Sequence, residues 1–286
     1  MKVIAIKTPI VQPGDDLFKI LDEAISPSSL REAQATRPFG EDSPESGKQS
    51  HEIDRHADAR DDEIILKEYS VLAVSSKIVA ISERRVIDKE SDEQKDELIE
   101  QESEYYLPRS ENPYNVSLTI TNNILAASAG IDESNASGKF ILWPKDPQVS
   151  ANKIREYLIE KYAIKHIGVI LTDSKTTPLR WGVTGIALSY SGFKPLHNLI
   201  GHPDLFGKPL EYTQVNIIDN LACAAILEMG ESNEQTPLAV LSEIKQIEFV
   251  DHNPTQKEID SLKITLDEDL YGVFLKNAPW KKGQKG

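Results

Sequence analysis

Apolar residues recur along this chain in short runs separated by polar segments, and their spacing predicts both strands and helices. The opening run MKVIAIKTPIV predicts a strand, and GDDLFKILDEAI predicts a short helix after it. Buried strands are predicted at YSVLAVSSKIVAIS, HIGVILTD and TPLAVLSEI. The stretch YNVSLTITNNILAAS predicts a hairpin that turns at Asn122 and Asn123.

Helical spacing is clearest in DPQVSANKIREYLIEKYAI, where Ile154, Leu158 and Tyr162 share one face after a cap at Ser150. The acidic stretch DKESDEQKDELIEQESEYY predicts a solvated helix. A strand followed by a helix is predicted at TQVNIIDNLACAAILEMG, and the helix is expected to end at Gly230. This loose alternation with hairpin signals predicts an α+β protein with mixed β-sheets and flanking helices.

One segment breaks the pattern. From about residue 26 to residue 62 the chain has almost no apolar periodicity and is rich in Ser, Pro, Asp, Glu and Arg. Such a segment buries too little apolar surface to offset its ordering entropy. We therefore expect a main domain over residues 1–250, interrupted by a polar insertion at about 26–62, and a C-terminal extension over residues 251–286.

Composition narrows the class of protein. The net charge of −14 argues against nucleic-acid binding, since no Lys/Arg-rich stripe offsets it. No apolar run approaches the roughly 18 residues that a membrane span requires. The single cysteine fits a reducing compartment, and the N-terminal apolar run is too short for a signal peptide. We expect a cytoplasmic protein with no membrane or nucleic-acid partner.

Three acids follow apolar elements and lie beside small or hydroxylated residues: Asp132 in GIDESN, Asp173 in LTDSK and Glu231 in MGESNEQT. Carboxylates with adjacent hydroxyls are what Mg²⁺ or Mn²⁺ prefers, above all when phosphates complete the coordination shell. Each acid taken alone is better explained as a cap or turn residue, and it is the occurrence of three such acids that makes a metal site a serious alternative. The chain has no phosphate loop of the GxxxxGK[ST] type and no GxGxxG after a strand.

Basic residues at loop positions are Lys77, Lys175 and Arg180. Arg180 stands between Pro178 and Trp181, with a proline-fixed approach and an adjacent aromatic surface. Lys77 and Arg180 are candidate catalytic residues that bind phosphate or a carboxylate substrate. The simpler interpretation of Arg180 is a surface cation paired with an acid.

Several longer stretches carry a resemblance: SSKIVAISE, SAGIDESN, GVILTDSKTTPLRWGVTGIA, DLFGKPLEYTQVNIIDNLACAAILEMGE and EQTPLAVL. Together they resemble the coenzyme F-420 gamma-glutamyl ligase family, and most closely its bacterial branch of putative folate-metabolism gamma-glutamate ligases. The resemblance covers residues 1–25 and about 66–250. It implies a gamma-glutamyl ligase-like fold unlike the Mur ligases, an intertwined homodimer, two Mg²⁺ or Mn²⁺ ions, and GTP or ATP as co-substrate.

The resemblance also implies site residues. The family's metal ligands fall on Asp132, Asp173, Ser174 and Glu231. Its nucleotide contacts fall on Thr8, Pro9, Ile10, Val11, Ser76, Lys77, Asn135, Met229, Gly230, Glu231, Ser232, Asn233, Glu234, Gln235 and Thr236. The metal at Asp173 would explain why its strand ends on a carboxylate. The chain departs from the family at Ile81, where the coenzyme ligases have a nucleotide-contacting lysine.

The sequence therefore predicts an NTP- and metal-dependent ligase that adds L-glutamate to a small-molecule acceptor carboxylate, through an acyl phosphate. The acceptor is expected to be folate-like or another glutamylated molecule. Two alternatives use the same residues: a metal-dependent phosphohydrolase with water as nucleophile, and a nucleotide-binding protein without turnover.

Overall fold

The computed structural model describes residues 1–25 and 66–285, so the predicted insertion at about 26–62 lies outside the described residues. The strands are β1 (Lys2–Ile6), β2 (Ser70–Ser75), β3 (Val86–Asp88), β4 (Tyr105–Leu107), β5 (Leu118–Thr121), β6 (Ile124–Ala127), β7 (Lys139–Ile141), β8 (Ile167–Thr176), β9 (Val183–Ser191), β10 (Leu196–Asn198), β11 (Gln214–Asn216), β12 (Leu238–Ser242) and β13 (Lys281–Lys282). The α-helices are α1 (Leu17–Ile25), α2 (Ser76–Ser82), α3 (Asp92–Glu102), α4 (Pro147–Tyr162), α5 (Ile217–Met229), α6 (Gln256–Asp260) and α7 (Gly272–Leu275).

Five strands form the central sheet in the order β1-β12-β2-β8-β9. Only the β2–β8 pair is parallel; the other neighbours in this sheet are antiparallel. Helices flank the sheet, and smaller antiparallel sheets pair β13-β4-β5-β6 and β3-β7. This mixed arrangement confirms the predicted α+β class.

The core lies on both faces of the central sheet because β2 alternates its side chains between them. Leu72 and Val74 pack with α1 and α4 in one apolar cluster. Val71 and Ala73 pack with α5 in the second cluster. A strand that is apolar on both sides is typical of a sheet covered on both faces.

The predicted hairpin is confirmed. β5 pairs antiparallel with β6 through a two-residue turn. Asn122 and Asn123 have φ angles of 52° and 61°. Two consecutive left-handed residues are what a type I′ hairpin turn requires, and asparagine tolerates them well.

Three boundaries differ from the sequence prediction. The strand predicted through SKIVAIS ends at Ser75, and α2 follows it, because burying Ile78 and Val79 against the core outweighs their β-propensity. The cap predicted at Ser150 is wrong. Asp146 caps α4 one turn earlier by accepting a hydrogen bond from the Val149 N–H at 3.0 Å, and Pro147 is the first helical residue.

The third boundary concerns Asp173, which does not end its strand. β8 continues to Thr176 and stays paired with β9, with Asp173 opposite Ile186. A register irregularity lies between Leu171 and Thr172. The carboxylate therefore projects from within a rigid strand, just after the parallel partner β2 has ended beside Thr172.

The segment after residue 250 packs onto the main domain. The Arg155 guanidinium, on α4, donates to the backbone oxygen of Val250 and to Oδ1 of Asn253, each at 3.2 Å. Farther on, β13 pairs with β4. Across residues 1–25 and 66–285, no helix is long and apolar enough to cross a membrane.

Candidate active site

The candidate site lies where β2 and β8 finish side by side. Ser75, the last residue of β2, pairs in register with Thr172 of β8. Lys77 follows in α2, and Asp173 and Ser174 follow in β8. Because the two strands are parallel, their carboxyl ends present these polar residues at one edge of the sheet.

Lys77 and Asp132 form the central ion pair. The Lys77 ammonium lies 2.6 Å from Oδ2 of Asp132, and it also donates to the backbone oxygen and hydroxyl of Ser134 at 3.1 Å. The Ser134 N–H donates to Oδ1 of Asp132 at 2.7 Å. Burial alone would raise the pKa of Asp132, but Lys77 and Ser134 lower it below its usual value. Asp132 is therefore an ionised carboxylate.

The pKa of Asp173 is shifted in the opposite direction from that of Asp132. Its Oδ2 accepts a hydrogen bond from the indole Nε1 of Trp143, and its Oδ1 accepts one from the Ser174 N–H at 2.8 Å. Burial raises the pKa of Asp173 to about 6, despite these two donors. The charge of Asp132 raises this pKa further, and Lys77 opposes it. Asp173 is thus a desolvated carboxyl in need of positive charge.

Glu231 belongs to the same electrostatic group. Desolvation raises the pKa of Glu231, and the negative charges of Asp132 and Glu234 raise it further. Lys77 and a hydrogen bond with Ser174 lower this pKa, but they do not cancel the rise. Glu231 follows Gly230, which ends α5 with a φ of 81°. The predicted stop at Gly230 is confirmed, and it turns the chain so that Glu231 meets Ser174.

The loop after α5 joins the other segments predicted for nucleotide contact. The Asn135 amide donates to the backbone oxygen of Ser232 at 2.8 Å, and Oε2 of Glu234 accepts from the Ser232 N–H at 2.8 Å. Gln235 and Thr8 are joined twice: the Thr8 N–H donates to the Gln235 oxygen at 3.2 Å, and the Gln235 amide donates to the Thr8 oxygen at 2.6 Å.

Within these segments, exposure is uneven. Buried members are Thr8, Val11, Ser76 and Met229, and exposed ones are Pro9, Ile10, Asn135, Gly230, Glu231, Ser232, Asn233, Glu234 and Gln235. The hydroxyl of Thr236, which is half-buried, donates to the backbone oxygen of Met229 and closes the loop. Residues far apart in sequence therefore converge on one exposed rim around Lys77.

The acids do not form a closed metal cage. Within the described ranges, no group of three or more His, Cys, Asp or Glu side chains is arranged to hold a metal ion. The ammonium of Lys77 lies against Asp132, and N–H donors cover Asp173. The donor set, all oxygen, nonetheless fits a hard dication, since clustered carboxylates with a raised pKa gain from added positive charge.

Arg180 does not join this group. It lies exposed in the turn between β8 and β9, where its N–H donates to the backbone oxygen of Thr177 at 3.3 Å. Neighbouring Trp181 is 91% exposed, and its ring meets Tyr114 edge-on with centroids 6.4 Å apart. No hydrogen bond or ion pair in the described part of the chain links the Arg180 guanidinium to Lys77 or the acids.

Sequence reasoning missed Trp143 and Gly130. Trp143 is 5% exposed and donates to Asp173. Gly130 has a φ of 73°, and a Cβ there would collide with the Trp143 indole. The glycine lets the indole lie flat against the backbone and aim at Asp173. The one available signal was Gly130 itself, two residues before Asp132 in SAGID.

Ile81, at the family's lysine position, packs against two apolar clusters and is half-buried. Its backbone oxygen accepts from the Gly14 N–H at 3.2 Å. The side chain thus acts as a packing residue between α2 and its neighbours.

A comparison with known families assigns the chain. Residues 49–243 match the F420-0:Gamma-glutamyl ligase family. The coenzyme F420:L-glutamate ligase of Methanococcus maripaludis strain C7 is 34% identical over 190 residues, covering 62% of this chain and 76% of that protein. The protein of the same name from Methanocaldococcus jannaschii is 42% identical over 120 residues, covering 42% of this chain and 48% of its own length. The chain therefore belongs to the F420-0:gamma-glutamyl ligase family, and it is an enzyme of the gamma-glutamyl ligase type.

Proposed function

We propose that this ligase uses a nucleoside triphosphate and divalent cations to join L-glutamate to an acceptor carboxylate through an acyl phosphate. The observation that carries the proposal is the convergence of Asp132, Asp173, Ser174 and Glu231 around Lys77. Acids from three distant segments surround one cation, next to a loop with exposed backbone. This combination suits a triphosphate with its metal ions.

Each residue has a role that its surroundings support. Asp132, Asp173, Ser174 and Glu231 would hold Mg²⁺ or Mn²⁺, which neutralise the charge on a phosphoryl group during its transfer. Lys77 would exchange Asp132 for a phosphate oxygen, since its flexible ammonium is a mobile point charge. The indole of Trp143 keeps Asp173 in one orientation, so that ligand geometry is fixed before the substrates bind.

The acceptor is proposed from the relatives and the sequence resemblance together. The curated relatives are named for coenzyme F420. The resemblance to the folate-metabolism branch favours a different acceptor that also carries a free carboxylate. We propose a folate-like acceptor, with GTP or ATP as the co-substrate.

A homodimer is part of the proposal. Large apolar side chains are exposed in the β8–β9 turn and in the loop between β10 and β11: Leu179 at 103%, Trp181 at 91%, Leu205 at 98% and Phe206 at 95%. Exposed apolar surface of this kind is typical of an interaction site. Light scattering on the purified chain should give the mass of a dimer, and Phe206→Asp should give that of a monomer.

The function is tested by incubating the protein with Mn²⁺, GTP or ATP, L-glutamate and one acceptor at a time. Mass spectrometry should detect an acceptor heavier by one glutamyl unit, together with one equivalent of phosphate. A rate of phosphate release that does not depend on added glutamate would instead identify a phosphohydrolase. Nucleotide binding without any product would identify a non-catalytic binding protein.

A further inference from the structure

A cavity of about 260 Å³ lies beside the edge strand β9, one strand away from Asp173. Ile186, the cross-strand partner of Asp173, is part of its wall. The hairpin turn at Asn122 and Asn123 closes one side. Ile259 and Lys263 close another, and both follow residue 243, where the family match ends. The cavity is therefore built partly by this chain's C-terminal extension.

Lys175 supplies the cavity with an unsatisfied cation. It lies on β8 two residues after Asp173, is half-buried, and lines the cavity. Its ammonium has no hydrogen bond or ion pair with any residue in the ranges that the structure describes, whereas Lys77 close by is fully engaged. A partly buried cation without a partner favours an anionic ligand, because its desolvation is otherwise uncompensated.

Tyr190 forms part of the inner wall of the cavity. This residue of β9 is 1% exposed and packs in the second apolar cluster. Its hydroxyl has neither accessible surface nor a hydrogen-bond partner among the described residues, so it is not open to a ligand in the cavity. Burial and the charge of Glu258 raise the pKa of Tyr190, so the phenol keeps its proton.

The cavity also contains a fixed negative charge. Oδ1 of Asp219 accepts from the Ala187 N–H at 3.0 Å, and its Oδ2 accepts from the Asn216 amide at 2.7 Å. On the opposite side Lys263 pairs with Asp260 at 2.8 Å. The walls thus combine two lysines, one carboxylate and neutral amides. A dicarboxylic amino acid has the complementary set of two carboxylates and one ammonium.

We propose that this cavity is the binding site for the incoming amino acid, a free dicarboxylic amino acid that is L-glutamate if the proposed ligase function holds. One carboxylate would contact Lys175, and the ammonium would face Asp219. Its volume lies below the roughly 300 to 1,000 Å³ typical of pockets for drug-sized ligands, so it suits an amino acid better than a nucleotide. The C-terminal extension would then help to select the amino acid.

The test is calorimetric titration of L-glutamate into the full chain, in the absence of nucleotide and acceptor. The wild type should bind, and Lys175→Met should bind roughly tenfold or more weakly, because the charge-assisted contact is lost. Lys153→Met, which changes an exposed lysine of α4 outside the cavity, should bind like the wild type.

Equal glutamate affinity in Lys175→Met and the wild type would overturn the cavity assignment, as would no binding by the wild type. The ligase function is judged separately from product formation. Lys175-dependent glutamate binding without any glutamylated product would keep the cavity and reject the ligase. Glutamylated product with an unchanged KM for glutamate in Lys175→Met would keep the ligase and reject the cavity.

Discussion

The ammonium of Lys77 lies 2.6 Å from Oδ2 of Asp132, so a lysine neutralises the carboxylate that the family resemblance assigns to a metal. This pair explains how three acids can stay close together in the metal-free protein. It also makes Lys77 a competitor of the dication. Binding of metal and nucleotide would move the ammonium from Asp132 to phosphate, and this exchange can be tested by removing the ammonium.

Lys77→Met should separate metal binding from turnover. Loss of the competing ammonium should leave Mn²⁺ affinity equal to or higher than that of the wild type, whereas glutamyl transfer should fall by about 100-fold or more, as when a charge-stabilising donor is removed. Calorimetry with Mn²⁺ and a product assay give both quantities. Lys95→Met is the matched control, since Lys95 pairs with the neighbouring Glu133 at 2.6 Å. Full activity in Lys77→Met would contradict the role of this lysine.

Gly130→Ala should disturb the site through Trp143. The added Cβ would collide with the indole and displace it from Asp173. Gly138→Ala is the control, since Gly138 has a similar φ of 78° but a Cβ there meets nothing within 4 Å. Both variants place a side chain at a left-handed backbone position, which destabilises the fold in each. Overpacking against the indole should lower the unfolding free energy of Gly130→Ala by about 1–3 kcal/mol more than that of Gly138→Ala. Equal unfolding free energies would show that the indole adapts freely.

The sequence was sufficient for the class of fold and the hairpin, because each rests on local spacing. Asp132, Asp173 and Glu231 were singled out by residue type beside an apolar run, and their role as metal ligands stays a prediction. Trp143 was not, because its contact with Asp173 joins residues 30 positions apart and depends on how the smaller sheet packs. The exposed position of Arg180 could not be predicted from the sequence either, because a turn next to a strand end can point toward a site or away from it.

Ile81→Lys should destabilise the fold without tightening nucleotide binding. The side chain packs between two apolar clusters, so a buried ammonium there would lose contacts and remain unpaired. We expect a loss of roughly 1–3 kcal/mol in unfolding free energy. Chemical denaturation and a nucleotide titration measure the two effects. If nucleotide affinity rises at unchanged stability, the residue faces the ligand as it does in relatives with lysine.

Glu102 should make stability depend on pH. Burial raises its pKa, but Arg85 at 2.7 Å and Lys285 at 3.2 Å outweigh burial and lower it overall. Because the folded-state pKa lies below the unfolded one, the contribution is complete above the unfolded value of about 4.3 and is lost as pH falls through the folded value. Glu102→Gln should cost about 1–3 kcal/mol at pH 7 and much less at acid pH.

The control for that experiment is Glu160→Gln, which changes an exposed glutamate on α4. Its unfolding free energy should match that of the wild type at both pH values. A pH-independent difference between Glu102→Gln and the wild type would show that packing, and not charge, sets the role of Glu102.

The central claim, a divalent-metal site built on Asp173, is tested most directly by titrating Mn²⁺ into the wild type and Asp173→Asn. Asparagine keeps the shape and removes the charge, so Mn²⁺ affinity should fall by more than about 100-fold, beyond the roughly 10- to 100-fold loss that is usual for a residue outside the ligand shell. The variant should remain folded in EDTA. Because the pKa of Asp173 is raised to about 6, its ionisation costs wild-type stability as pH rises through that value, and the variant should lack this loss. Asp146→Asn, at the cap of α4, should bind Mn²⁺ like the wild type. Equal Mn²⁺ affinity in the wild type and Asp173→Asn would contradict the metal site and the ligase mechanism that depends on it.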